Sequence, residues 1–233
     1  MQNRFWWWIG IRLFGAVALV GLILSFLMPG SGEREFKKTL EAMKQVRSFR
    51  AVYLANPGTQ VNDLLWEVDC GREIVHEQSH YVDTSFDPPK ESALDQLRVG
   101  HLWYTHQSDG RWAKTGFSYQ GGSPMMYCSK IAEGSDSGIL PNIATMLKRG
   151  IIQKGGRKTV NGVTCREWDV ALKGPLANLE HDTVCIGVED HLPYEVTVDW
   201  QKSRASFSDY NTQIQIDLPE VAVQAASATN GSN

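Results

Sequence analysis

Among its 21 glycines the sequence has neither GxGxxG nor GxxxxGK[ST]. No backbone cradle for a dinucleotide or a nucleoside triphosphate is therefore written in it. Basic residues are not in excess. Lys+Arg number 23 against 26 Asp+Glu, a formal net charge of −3, so no nucleic-acid partner is expected, because neutralising phosphates requires a basic surface. Cysteine is scarce: Cys70, Cys128, Cys165 and Cys185 are the four, with no CxxC spacing, which argues against a structural zinc site or a thioredoxin-type pair. None precedes Cys70, so no lipobox cysteine stands near the N-terminus. A GxSxG elbow and an internal repeat of fixed period are also missing. Disorder is excluded as well. With 42% hydrophobic and 10% aromatic residues over 233 positions, the chain can bury the core of one ordinary domain.

The one long apolar run lies at the start. Residues 1–32 contain Arg4 and Arg12 and no acidic residue, with Trp6, Trp7 and Trp8 between them and an almost wholly apolar stretch from Leu13 to Met28. That stretch spans about 24 Å as a helix, short of the ~30 Å hydrocarbon core, but counting from Phe5 makes it long enough. Two readings fit. One is a secretory signal ended by Pro29-Gly30 and cut after Gly32. The other is an inner-membrane anchor over residues 5–28, with Arg12 snorkelling to the interface and the tryptophans in the aromatic belt. Both place the rest of the chain outside the inner membrane, as a periplasmic protein. Without Arg4 and Arg12 the balance is 21 basic against 26 acidic residues, a net charge of −5. In that oxidising compartment the cysteines allow three pairings. Cys165 with Cys185, on neighbouring strand-like segments, is the expected pair, followed by Cys70 with Cys128.

Past the apolar run, Phe36, Leu40, Met43 and Val46 form one stripe of a helix over 35–49. The period then changes to two. Arg50 to Leu54 and Leu64 to Val68 read as strands split by Asn56-Pro57-Gly58. Arg98 to Thr105 and Arg111 to Thr115 flank a Ser108-Asp109-Gly110 turn. An irregular Gly- and Ser-rich stretch over 116–138 precedes a short helix over 140–148. Asn161-Gly162 between Val160 and Val163 is the strongest hairpin signal in the chain. Strands follow over 164–172, 183–188 and 194–200, and Ile214, Ile216 and Leu218 mark a last one. The expected layout is residues 1–32 as signal or anchor, 33–220 as one α+β domain, and 221–233 as a disordered tail.

Two strings look like chemistry. His76-Glu77-Gln78-Ser79-His80 matches HExxH, in which two histidines on one helical face bind zinc and the glutamate activates water. A membrane-tethered metallopeptidase using His76, Glu77 and His80 is thus one alternative. However, the flanking residues favour a strand, because Trp66 to Cys70 alternates, Gly71 interrupts any helix, and Ile74-Val75 are β-branched. Ser135-Asp136-Ser137-Gly138 lacks the glycines and the upstream His/Asp pair that a serine-protease loop needs. The tryptophans raise a different possibility. Trp66, Trp103, Trp112, Trp168 and Trp200 all fall in expected strands, where a curved sheet would turn them into an acyl-chain cavity, and ordinary core packing is the alternative for each. Met125 and Met126 would then belong to a loop over that cavity.

The layout resembles the LolA-like carriers, including the LppX/LprG type of lipid-handling lipoproteins. The matching residues are Val46 to Ala51, the Trp103-Tyr104 hairpin closing at Trp112, and the run from Thr159 through Trp168, Val184 to Gly187, His191 to Val196, Ser206 to Asn211 and Ile214 to Pro219. The resemblance covers roughly residues 35–220 and contains no catalytic string. It implies a curved, half-open antiparallel β-barrel (α+β class) with helices covering the concave face. It also implies a monomeric, non-catalytic carrier without a cofactor, holding the acyl chain of a lipid or lipoprotein next to the inner membrane. A ligand-free structural module of the envelope is the second alternative.

Overall fold

A computed structural model describes residues 30–55, 60–117, 142–172, 181–199 and 202–223. Trp200, Met125, Met126 and Cys128 lie outside the described residues, as do residues 1–29. Among the described residues, no helix is long and apolar enough to cross a membrane. Helix α1 (Ser31–Met43) leads into strands β1 (Ser48–Ala55), β2 (Gln60–Asp69), β3 (Ile74–Asp83), β4 (Lys90–Val99), β5 (Leu102–His106) and β6 (Trp112–Phe117). Helix α2 (Ile143–Arg149) then precedes β7 (Gly150–Val160), β8 (Val163–Leu172), β9 (His181–Gly187), β10 (Pro193–Val198) and β11 (Ser203–Ser208).

The strands form one antiparallel sheet of 11, in the order β6-β5-β4-β3-β2-β1-β11-β10-β9-β8-β7. Each strand neighbours its sequence partner except at one point. There β11 returns to pair with β1, with Ala51 opposite Phe207 and Tyr53 opposite Ala205. The edges are β6 and β7, so the sheet is open. This is the expected α+β antiparallel arrangement.

Strand parity decides which side each residue serves, because side chains alternate between the two faces. Phe49 and Ala51 of β1, Val68 of β2, Phe207 of β11, Val184 of β9 and Trp168 and Val170 of β8 share one face. They are buried there with Phe36 and Met43 of α1 and with Ile143 and Met146 of α2. This is the helix side. The close approach of α1 to the sheet requires Gly32, where a Cβ would lie 2.6 Å from Ile152.

The helix expected over 35–49 starts and stops earlier. Its buried residues are Gly32, Phe36, Thr39 and Met43, and Val46 is buried in the turn that follows. Phe49 already belongs to β1, because its register opposite Val68 claims it for the sheet. The strand expected over 98–105 is two strands, turned at Gly100 (φ +56°). At Asn161-Gly162 both residues take positive φ, 49° and 80°, as a two-residue hairpin of type I′ geometry requires.

The segment expected as a last strand, Ile214 to Leu218, has no strand partner among the described residues. It crosses the face away from the helices and buries Ile214 and Ile216 with Ile74, Leu97 and Tyr104. A short helical turn at 220–223 follows and buries Ala222 in the same cluster, inside the tail that composition had set aside. Arg72 pins the segment by donating from Nη2 to the Ile214 carbonyl at 2.6 Å.

Cys165 and Cys185 form the expected disulfide, Cα atoms 5.5 Å apart. Glu167 stands opposite Cys185 and Cys165 opposite Gly187, which makes the cysteines diagonal neighbours. Cys70 is also disulfide-bonded.

On β10, Glu195 is buried yet charged. It accepts from Lys158 Nζ at 2.6 Å and from Arg204 Nε at 2.7 Å. Lys158 and Arg204 keep partial access to water, which screens the loss of a partner. Glu195→Ala is therefore expected to cost about 2 kcal/mol, below the range for a fully buried pair. Urea unfolding of the variant against wild type checks this, and a shift within error would show that solvent carries these charges.

Two tyrosines make the fold sensitive to alkali. Tyr194 donates to Asp190 Oδ2 and Tyr210 to the Pro193 carbonyl, both at 2.5 Å. Burial first, and then the nearby Asp190 carboxylate, raises Tyr194 above its ordinary 10.0. Burial also raises Tyr210, with Tyr194 and Asp190 adding to the effect. A raised folded-state value means the neutral form carries the stability. The contribution is complete below pH 10 and is lost as pH climbs towards the folded-state values. Tyrosinate absorbance is expected to include these two groups only as circular dichroism reports unfolding. Their ionisation in a still-folded protein just above pH 10 would refute this.

Candidate functional site

The helices pack chiefly on the β7–β8 end of their side. Towards the other end the apolar layer continues with partly buried aromatics. Tyr53 of β1 and Trp66 of β2 lie against the main core with ring centroids 6.3 Å apart. Leu64 follows two residues before Trp66, and Leu94, on the same face by register, is exposed. Trp103 of β5 ends the row beneath the Arg98 guanidinium, which stacks 3.8 Å above its ring. Arg98 Nη2 also donates to Glu77 at 3.1 Å, so the charge that borders this apolar row is paired. Stacking on an aromatic face holds a guanidinium while leaving the ring edges apolar.

The tryptophans singled out from sequence do not all meet. Trp66, Trp103 and Trp168 share the helix side. Trp168 is packed core, its ring edge-on to Phe36 at 6.3 Å, and its buried indole N–H has no hydrogen-bond partner among the described residues. Trp112 faces the other side. A bulge between Trp103 and Tyr104 shifts the β5–β6 register, so Trp112 pairs with His106 while Trp103 pairs with Gly116. There Trp112 packs beside the Ile214 cluster and lies 5.2 Å from the His106 ring.

The HExxH string lies on β3, not on a helix. Alternation puts His76 and His80 on the face away from the helices and Glu77 on the helix side, bound to Arg98. The would-be base and the would-be ligands are thus separated by the sheet itself. His76 has carboxylate oxygens at both ring nitrogens, Glu67 at 3.1 Å from Nδ1 and Asp95 at 2.8 Å from Nε2, so both nitrogens are already engaged within the sheet. The zincin arrangement is absent from these residues. Among the described residues no cluster of His, Cys, Asp and Glu is placed to hold a metal.

What the string does form is part of a polar row across the sheet. Arg50 Nε donates to Glu67 at 2.8 Å and Nη1 to Asp209 at 3.1 Å. His76 joins Glu67 to Asp95, and His106 Nδ1 lies 3.9 Å from Asp95. Attraction to Glu67 and Asp209 outweighs desolvation and holds the Arg50 guanidinium above its ordinary value, the Glu67 hydrogen bond contributing most. The sequence hid this row because its bonded members are 9 to 159 positions apart and meet only through register. On one side of the row lies the Ile214 cluster. On the other a groove of about 610 Å³ runs over Val52, Leu65 and Ala93, walled by His80, Asp95 and His106.

No family model and no curated protein matches this sequence. Solved structures do. LprF from Mycobacterium bovis superposes with a TM-score of 0.57 at 11% identity, over 81% of this chain and 96% of that one. The chain has the LprF fold. That bears out, for the fold, the resemblance to the LppX/LprG type. Looser likenesses include the MucA/MucB complex of Pseudomonas aeruginosa (TM-score 0.41, 13% identity, 81% of this chain and 59% of that one). A LolA-superfamily protein from Nitrosomonas europaea also matches (TM-score 0.28, 11% identity, 83% and 97%). In this chain the aromatic row of Tyr53, Trp66 and Trp103 occupies the helix side of the open sheet.

Proposed function

We propose that this protein is a cell-envelope carrier that holds the acyl chain of a lipid or lipoprotein on the helix side of its sheet and catalyses no reaction. The observation that carries this reading is the apolar layer of an LprF-like sheet continuing, as Tyr53, Leu64 and Trp66, past the strands on which the helices chiefly pack. Trp66 and Trp103 are the proposed wall, with Trp168 closing the core end. At ~0.8 kcal/mol per buried CH₂, part of one chain gives useful affinity with no charged contact. Residues 33–220 act as the carrier domain, and residues 1–32 export it or hold it at the inner membrane. The separation of Glu77 from His76 and His80 favours this reading over a peptidase.

Native mass spectrometry of the full chain, released from a mild nonionic detergent, tests it. The expected result is one lipid-sized adduct on wild type, at least tenfold depleted in Leu64→Glu, with the melting profile preserved. Bare wild-type protein would favour the structural module, and a zinc adduct lost in His76→Ala would restore the peptidase.

A further inference from the structure

One feature of the helix side extends beyond the proposed Trp66–Trp103 wall. Arg34 and Lys38 of α1, Lys154 and Arg157 of β7, and Arg166 and Trp168 of β8 line a single recess of about 370 Å³. Five cations converge there in a chain whose formal net charge is −3. The lone carboxylate in the lining, Glu35, is taken up by His191 Nδ1 at 2.6 Å. Arg166 Nη1 donates to the Gly155 carbonyl at 3.1 Å. Arg34, Lys38, Lys154 and Arg157 have no partner among the described residues.

The convergence is built into the backbone. Lys154 stands opposite Trp168 and Arg157 opposite Arg166, so three steps on β7 match two on β8. The bulge at Gly155-Gly156 supplies the extra residue. Without it, strand alternation would send Lys154 and Arg157 to opposite faces. Lysine on an edge strand commonly guards against aggregation, but that role needs no bulge and no matching cations on α1 and β8.

A second observation is independent of charge. Trp168 is only 4% exposed, lines the recess, and carries a buried indole N–H with no partner among the described residues. The recess also opens beside Ser31 at the start of α1, whose N-cap Gly30 supplies no side-chain bond. The end of the helix therefore leaves its own N–H groups and positive dipole uncapped there.

We propose that this recess binds the phosphate of an anionic phospholipid headgroup. Arg34 and Arg157 act as the forked donors that match phosphate oxygens, and Lys38 and Lys154 act as point charges. The choice of a lipid over a free anion rests on the carrier reading and on position. Only Pro29 and Gly30 separate Ser31 from Met28, where the apolar run ends, so an anchored chain would hold the recess at the headgroup layer.

The test uses the full chain in a nonionic detergent, titrated calorimetrically with dihexanoyl phosphatidylglycerol, dihexanoyl phosphatidylcholine and inorganic phosphate. Phosphatidylglycerol is expected to bind most tightly and to weaken as salt rises. Arg34→Glu with Arg157→Glu, both exposed positions, should weaken it at least tenfold, since each change removes a charge-assisted donor and sets a carboxylate against the phosphate. Arg34→Lys with Arg157→Lys should fall between wild type and the charge-reversed pair, because it keeps the charge and loses the fork, and both pairs should melt as wild type does. Equal binding of phosphatidylcholine, equal binding of inorganic phosphate, or an unaffected charge-reversed variant overturns the proposal. The failures are separable. An unchanged lipid adduct on the charge-reversed variant sinks the recess and spares the carrier. Absence of any native adduct beside charge-dependent phosphatidylglycerol binding does the reverse.

Discussion

Phe36→Ala should destabilise the protein by about 4 kcal/mol, within the usual range for deleting a buried aromatic ring. Phe36 is fully buried and is the residue through which α1 meets Trp168, edge to face. Truncation removes the ring's transfer free energy and the aromatic contact. It also leaves a cavity that cannot collapse, because α1 is held at a fixed height where Gly32 touches Ile152. Urea unfolding should show a lower midpoint with an unchanged slope. The same change loosens the helix that covers the apolar side, so an apolar dye should fluoresce more strongly on the variant. A loss below 1 kcal/mol with no added dye binding would mean that α1 is seated by its other contacts and that the helix side is not sealed by it.

Replacing Cys165 and Cys185 together by alanine should cost about 3 kcal/mol. The bridge closes a 20-residue separation, and loop-closure entropy of that size is lost from the unfolded chain when it is removed. Both cysteines are buried in the main core, so the alanines also forfeit some packing. The double variant is a cleaner probe than a reductant, because Cys70 is disulfide-bonded too and reduction would act on both. The variant should still fold, since β8 and β9 keep their ladder from Cys165 opposite Gly187 to Ala171 opposite His181. Complete loss of the folded state would show that the bridge is needed to form the β8–β9 pairing and not only to secure it.

These effects fall on parts of the molecule that differ in how far the sequence disclosed them. Local signals were legible where a single residue type is nearly obligatory. Asn161-Gly162 turned as expected because both positions need positive φ. Alternation around His76 to His80 already favoured a strand, and β3 is that strand. The stripe through Phe36 and Met43 marked the buried face of α1, although the helix boundaries moved by several residues because Phe49 had a better partner in Val68 than in another helical turn. Ile214 to Leu218 alternates like a strand yet serves as a cover, since its apolar side chains fit over Ile74, Leu97 and Tyr104.

The sequence by itself determined a chain that is antiparallel β with a leading helix. Those properties depend on periodicity, composition and turn chemistry, all of which act within a few residues. Only the tertiary structure decided which groups meet. Strand parity separates Glu77 from His76 and His80. One bulge sends Trp112 away from Trp103, and another brings Lys154 and Arg157 together beside Arg34. A shift of one residue in register reverses a side chain's face, and no local pattern records where such shifts occur.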